Sequence, residues 1–452
     1  MPLAVKNTFK KKAPDNGVFI AFVAVLVLVP IPLGSNRLWA VSLFNIAVFS
    51  MVFYWAYLFI RQQVSFTLTF KKARLAIAAF ALCQLWVFIN YMFLSQPLGG
   101  SLDPTRSFYQ LIHGVALVGF FCMTLLLLRS RKRIKTVIFA LIVSGLFQAV
   151  YGSLMTLSGI EYILFLPKES YRGLATGTFI NRNHLAGYLE LCLAVGIGFM
   201  IASLKGDGAS SWRDRVRRFF TALLGPKARV RLSLVIMVAA LVMTHSRMGN
   251  TAFFASMTIT GVIALVFSRH ASRATVILLV SLIIIDLAVV GTFFGMEKVV
   301  NRIENTRLNT VSRDEVNLYA YELFTDHALT GTGAGSFYGV FPEYRKEDVG
   351  NVYFNHAHND YMQFAIEFGL IGFIPLLLGV LLSFYVALQA QRKRRDSLMR
   401  GLSFSTLMAI IAFSIHSTVD FNLQIPANAA TFMVVLALGW LSGYFKDKRS
   451  SR

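Results

Sequence analysis

Apolar runs of about 20 residues recur along this chain, and a run of that length in lipid has few ways to fold. They lie near residues 18–33, 38–60, 74–94, 108–128, 134–158, 184–204, 230–245, 249–268, 274–294, 360–388, 401–417 and 428–445. A bilayer core offers no water to backbone N–H and C=O groups, so each run must satisfy its own as a helix. The pattern predicts an all-α polytopic membrane protein with about twelve transmembrane helices. Composition agrees: 56% of the residues are hydrophobic and only 15% are charged, against roughly a quarter charged in a soluble domain. Residues 18–33 lack a following small-x-small cleavage site, so they are expected to be a retained first helix rather than a signal peptide. The expected division is a basic cytoplasmic tail over 1–17, helices one to nine within 18–294, a large outer loop over 295–359, helices ten to twelve within 360–445, and a second tail over 446–452.

A formal charge of +22 in a soluble protein would point to nucleic acid. Here most of the 44 lysines and arginines fall in alternate segments, 1–17, 61–74, 129–135, 205–231, 269–273, 391–400 and 446–452. That alternation is the positive-inside pattern, so both termini are expected in the cytoplasm and no nucleic-acid partner is implied. Within one basic segment, Trp212 to Leu224 reads as an interfacial helix resting on anionic membrane lipids. The cysteines Cys83, Cys122 and Cys192 all sit in apolar runs, and their odd number predicts no disulfide framework.

The opposite side carries two longer segments, 159–183 and 295–359. In the second, Ser312 and Glu315 have capping-box spacing, and Val316, Tyr319, Ala320, Leu323 and Phe324 recur at helical spacing. A helix is expected over 313–327, on the membrane surface or against the bundle. Gly331 to Gly335 then reads as a flexible turn; no Gly-Lys-Ser/Thr follows, so it is not a phosphate loop. Phe337, Tyr338, Phe341, Tyr344, Tyr353 and Phe354 are expected as interfacial belt residues or as a sugar platform.

Candidate chemistry concentrates from Val352 to Gly372. Asn355, His356, His358, Asn359 and Asp360 stand directly before an apolar run, where polar groups are expensive unless a wet cavity receives them. Asp360, Gln363 and Glu367 share one helix face. Glu367 reads equally as an interhelical hydrogen-bond partner. Ala365, Gly369 and Gly372 are small residues at a spacing that lets another helix approach closely. Three arginines also face outward: Arg182, followed by Asn183 and His184; Arg247, in a very short turn; and Arg313. Arg345 is a further binding candidate in the long loop. An arginine on the outer side works against orientation, so phosphate pairing gives it a reason, with carbonyl capping or snorkelling as the plainer alternatives. His356, His358 and Asp360 offer three metal-ligand types, but i and i+2 do not share a helix face, and no metal is expected.

These motifs resemble those of the bacterial O-antigen ligase and O-antigen polymerase superfamily. Its signature of His-Asn, nine residues and Gly-x-x-Gly is matched by His358-Asn359 and by Gly369 to Gly372. Gly177 to Gly187, Thr244 to Arg247 and His416 to Asp420 are similar to further family motifs. The family's arginine-glycine step here reads Arg247-Met248-Gly249. The resemblance implies a glycosyltransferase at the periplasmic face of the bacterial inner membrane. Its donor would be an undecaprenyl-pyrophosphate-linked glycan, and its acceptor a hydroxyl on lipid A-core, on a growing glycan or on a protein. His358 would be the general base, Arg247 and Arg313 would hold the pyrophosphate, and no cofactor is implied. Simple chemistry is compatible with this. A neutral imidazole takes a proton near pH 7, arginines meet the charge growing on a leaving pyrophosphate, and direct attack inverts the anomeric centre. A polymerase of the same superfamily is the nearest alternative. A lipid-linked sugar transporter is the alternative of another class; it would want paired polar groups near the midplane, where Asp286 reads as the only deep acidic residue.

Overall fold

The computed structural model describes residues 13–93, 99–203, 226–267, 316, 318–345 and 354–446. The span at 274–294 with Asp286, the helix from Trp212 to Leu224, the cap from Ser312 to Glu315 with Arg313, and Tyr353 lie outside the described residues. The fold is all-α: a multi-pass helical bundle carrying, among the described residues, nine helices long and apolar enough to cross a membrane.

The helices are α1 (Asn16–Leu28), α2 (Leu38–Ile60), the short α3 (Leu68–Lys72), α4 (Arg74–Met92), α5 (Pro104–Leu127), α6 (Arg131–Ser158), α7 (Arg182–Ala202), α8 (Pro226–Met243), α9 (Arg247–Phe267), α10 (Asp360–Lys393), α11 (Ser397–His416) and α12 (Pro426–Tyr444). A small antiparallel hairpin, β1 (Tyr162–Ile163) and β2 (Leu166–Pro167), lies between α6 and α7. Starts are set locally: Asp103, Ser130, Asn359 and Asp396 each accept a first-turn backbone N–H at α5, α6, α10 and α11. The centre is α7, α11 and α12, whose residues are buried over most of their lengths. Lipid tails give helices no hydrophobic reason to associate, so side-chain hydrogen bonds matter here. Ser403 Oγ donates to Ala387 O, Thr406 Oγ1 to Val435 O and Trp440 Nε1 to Ser383 Oγ, tying α10, α11 and α12 together.

Ion pairs sort the connections onto two faces. On one, Arg133 grips Asp15 through both guanidinium nitrogens, at 2.8 and 3.0 Å, while Arg129 lies 3.3 Å from the same carboxylate. Arg131 pairs with Asp396, and Arg394 donates to Gly443 O and Phe445 O. The basic segments beside both described ends of the chain therefore share a face and clamp helix ends. The other face, the rim, gathers 29–37, 99–103, 159–181, 244–246, 328–345, 354–359 and 417–425.

One helix is not continuous. At Gly369 the backbone of α10 turns to φ 59°, ψ 177°, and residues 328–333 cross the break. Thr332 N donates to Ile366 O at 2.9 Å and Gly333 N to Glu367 O at 3.0 Å. Beyond the break, Leu370 N donates to Ala328 O at 2.8 Å and Ile371 N to Leu329 O at 3.3 Å. Trp86 Nε1 reaches Phe368 O at 2.8 Å. Every backbone group freed from 366 to 368 and at 370 and 371 is thus repaired, as a membrane interior demands.

The crossing explains two glycines. A Cβ on Gly331 would stand 2.4 Å from Gly369 N, and one on Gly369 would stand 2.3 Å from Leu329 O. The sequence expectations are corrected accordingly. Gly331 to Gly335 is a pinned crossing rather than a flexible turn, and Gly369 meets a backbone segment rather than a helix. Gly372 does receive a helix, through Trp86 of α4.

Next to the crossing, residues 318–326 are helical, with Tyr319, Ala320 and Leu323 buried. Together with Val316 they pack on Phe337, Val340, Phe341, Ala357 and Ile366, so this helix lies against the bundle. Phe337 and Phe341 stack at 4.8 Å inside that cluster, which makes them core rather than belt residues. Gly331→Ala or Gly369→Ala combines positive-φ strain with backbone overlap. Either should lower stability by about 2 kcal/mol or more, measured by thermal unfolding in detergent. Gly17→Ala, with nothing within 4 Å of its Cβ, should be close to neutral.

Candidate functional site

The rim is organised around the connection from α11 to α12 (residues 417–425), against which the starts of α7 and α10 are tied. The Asp360 N–H donates to Ser417 O at 2.9 Å, and its Oδ2 accepts from Ser417 Oγ at 2.8 Å and from Leu423 N at 3.1 Å. Asp420 accepts from the Phe421 amide at 2.8 Å and from Asn183 Nδ2, and lies 3.7 Å from His184 Nε2. Asn428 Nδ2 donates to His184 O and to Asn422 Oδ1. One turn deeper, His416 Nδ1 meets Glu190 Oε1 at 2.7 Å, with both side chains fully buried.

The ring of Phe421 lies at the centre. His356 stacks on it at 4.1 Å and 17°; His184 and His358 meet it edge-on at 4.7 and 4.8 Å. Three imidazoles from two distant stretches of chain thus converge on one aromatic side chain at the rim. His358 has φ +51°, a left-handed backbone that histidine tolerates but seldom adopts. Strain of that kind persists only where neighbours over-determine it. Here they are the Asn359 cap and the Asp360 anchor that follow directly.

Residues 232–377 match the family model described as O-antigen ligase. This segment is similar to the O-antigen ligase and polymerase superfamily. A search of curated proteins gave no match. The O-antigen ligase match includes Arg247, Arg313, Arg345, His356, His358, Asn359, Asp360 and Glu367. It leaves out Arg182, Asn183 and His184 and the whole of 416–428, which supply the other walls of the rim.

Several candidate side chains are held by this scaffold itself. Asn359 caps α10, accepting from Met362 N at 3.1 Å. Glu367 accepts from Gly335 N at 2.8 Å and from Gln363 Nε2 at 3.0 Å, fixing the segment that crosses α10. Gln363 continues to His356 Nδ1 at 3.1 Å and accepts from Ala357 N at 3.3 Å. One chain of hydrogen bonds therefore runs from the crossing to the histidine loop.

Arg182 and Arg247 are the first residues of α7 and α9. Arg182 lies over the Tyr171 ring at 5.8 Å, and Arg247 is exposed. The first turns of these helices touch, since a Cβ on Gly249 would stand 2.6 Å from Ala186 Cβ. Arg345 is half-buried at the edge of the 337–345 segment, and Arg313 lies outside the described residues. Among the described residues no three His, Cys, Asp or Glu side chains gather closely enough to hold a metal ion.

Sequence reasoning missed Phe421, Glu190 and the weight carried by Asp420. The Gly177–Gly187 and His416–Asp420 motifs flank these positions and were the available signal. Glu190 also corrects the expectation that Asp286 is the only acidic residue deep in a span, because it lies two turns into α7.

Electrostatics follows from burial. Desolvation lowers His356 from the ordinary 6.5 to about 4, the neighbouring His184 and His358 add to this, and the Gln363 contact and Asp420 only partly offset it. Burial alone would raise Asp420; His184, His416 and the Phe421 amide outweigh it and hold the carboxyl well below the usual range.

Because the folded state binds the His356 proton more weakly than the unfolded chain does, its contribution is present above pH 6.5 and lost as pH falls toward 4. Thermal unfolding across that window should show a shallower acid loss for His356→Gln than for the wild type. Removing one partner of a buried pair strands the other, at about 3–5 kcal/mol. Glu190→Ala should therefore lose much more stability in a detergent melt than Glu190→Leu combined with His416→Phe.

Proposed function

We propose that this protein is a glycosyltransferase of the bacterial inner membrane, working on the periplasmic side, with the rim as its active site. The donor is a glycan carried on undecaprenyl pyrophosphate. The acceptor is a sugar hydroxyl, either on lipid A-core, as in a ligase, or on a growing glycan, as in a polymerase. The observation that carries this is the placing of His358 at the rim, against Phe421 and within the segment matching O-antigen ligase.

In this reaction His358 takes the proton of the acceptor hydroxyl as its oxygen attacks the anomeric carbon. The new C–O bond forms as the bond to pyrophosphate breaks. The electron pair leaves with the lipid pyrophosphate, and the anomeric centre inverts. Arg247 and Arg313 meet the charge growing on the leaving group, with Arg182, Asn183 and His184 at the start of α7 and Arg345 on the loop side. The starts of α7 and α9 add the positive ends of two helices that touch in their first turns, a favourable setting for an anion. His356 and Asp360 shape the histidine loop, and Glu367 fixes the segment beneath it. A base and a phosphate clamp at one membrane interface also reduce the entropy cost of joining two lipid-borne reactants. The basic face then lies in the cytoplasm with both termini.

The test is reconstitution with a lipid-pyrophosphate glycan and candidate acceptors. His358→Ala should cut transfer by about a hundredfold or more, the range of a lost general base, and Arg247→Ala should also abolish it, with both variants inserting normally. Full transfer by either variant would remove this mechanism. Gel profiles of surface glycan from a deletion strain separate the acceptors: loss of glycan on lipid A-core marks a ligase, and shortened chains mark a polymerase.

A further inference from the structure

The connection from α6 to α7 carries a hairpin whose polarity is inverted. Lys168 is 1% exposed, while Phe165 is 93% exposed. Ile160, Tyr162, Leu166 and Pro167 are exposed on either side of it in sequence. A hairpin in water does the reverse, sending lysine heads outward and tucking aromatic rings in. Here the charges are turned inward and matched. Lys168 Nζ lies 2.6 Å from Glu161 Oε2 and donates to Leu174 O at 2.9 Å, and Glu161 Oε1 accepts from Gly173 N at 2.7 Å.

The backbone is also provided for. The strands pair Tyr162 with Pro167 and Ile163 with Leu166, Lys168 N donates to Glu161 O at 2.9 Å, and Leu164 N donates to the Tyr151 hydroxyl at 2.8 Å. Pro167 has no N–H to leave unpaired. Two-residue hairpin turns need positive φ and favour glycine or asparagine there. Leu164 takes that conformation instead, at +56°, which is strained for a bulky side chain. The tip is thus kept apolar against the local preference for a polar or glycine turn.

The neighbouring helix sets its depth. From Arg131, on the basic face, Tyr151 lies about 30 Å further along the axis of α6, and a hydrocarbon core is about 30 Å thick. Because Leu164 is fastened to Tyr151, the turn folds back toward that level. The exposed side of α6 leads to it: Phe139, Val143, Phe147, Val150, Leu154 and Leu157 recur at intervals of four and three, one apolar stripe. Past Pro167 the exposed residues turn polar, at Glu169, Ser170 and Arg172.

We infer that residues 160–167 form a wedge seated in the rim-side boundary of the lipid layer next to α6, with Phe165 and Leu166 among the upper acyl-chain carbons. Glu169 and Arg172 then stand at the headgroups. The occupant of the surface is bilayer lipid, because the patch continues the exposed stripe of α6 and sits at the depth where that stripe ends. A protein partner would find no free charge between Ile160 and Pro167, since Glu161 is already bonded to Lys168 and Gly173. The wedge bears on the rim as well: the Tyr171 ring in the same connection lies under the Arg182 guanidinium. The inference does not rest on the transferase reading, since lipid contact alone decides it.

The test uses the full chain in phosphatidylcholine nanodiscs with Phe165→Trp, its emission taken as the difference from the wild type. The added indole should emit to the blue of that in Glu169→Trp and resist quenching by aqueous iodide. It should be quenched severalfold more strongly by lipid brominated near the glycerol than by lipid brominated near the terminal methyl. Leu166→Trp repeats the reading at the next position and should agree. Glu169→Trp should behave oppositely, open to iodide and little affected by bromine. Iodide quenching of Phe165→Trp and Leu166→Trp equal to that of Glu169→Trp would overturn the inference. So would emission from both that neither iodide nor either brominated lipid quenches, since protein, from this chain or a second copy, would then cover the patch.

Discussion

Backbone hydrogen bonding in a medium without water is the constraint on which the rest of this structure depends. A helix that breaks inside a membrane protein exposes carbonyls and amides that lipid cannot satisfy. The break at Gly369 is tolerated because residues 328–333 offer matching groups on both sides, with the Trp86 indole covering the remaining carbonyl. The two glycines permit contact between main chains, and the hydrogen bonds require it. Each depends on the other, so the crossing holds in one register. That register places Glu367 under Gly335, Gln363 beside Glu367, and His356 beside Gln363.

The same logic governs the rim. Asp360 and Asp420 are acidic groups at the ends of buried helices, where an unpaired carboxylate would be expensive. Asp420 is matched by backbone and side-chain donors, and Asp360 by two donors on one oxygen only. Between them Phe421 supplies an apolar surface to three imidazoles. Desolvation there keeps His356 neutral well below physiological pH. A histidine loop built this way holds His356 as a neutral hydrogen-bond partner of Gln363.

Much of this was legible in the sequence, for a physical reason. Membrane helices announce themselves by length and apolarity, so most spans are found close to where the runs place them. The helical spacing of Tyr319, Ala320 and Leu323 was equally readable, as was the shared face of Asp360, Gln363 and Glu367. What stayed hidden depends on groups far apart in the chain. Nothing local to Gly369 says that its partner is the main chain near Gly331, because small residues four apart predict helix contact just as well. Phe337 and Phe341 look like belt aromatics until Ile366 is known to lie beneath them. Phe421 reads as one more apolar residue, and its meaning lies in histidines at 184, 356 and 358. The buried pair of Glu190 and His416 spans more than two hundred residues, and neither member is unusual alone.

Asp360 shows how one residue can serve two sides of a wall. Its amide and one carboxylate oxygen fasten α10 to the 417–423 connection, which fixes the loop where His356 and His358 stand. The residue also lines the cavity among α4, α5, α10, α11 and α12, its other oxygen buried without a partner among the described residues. The rim and the membrane cavity are therefore joined through a single side chain.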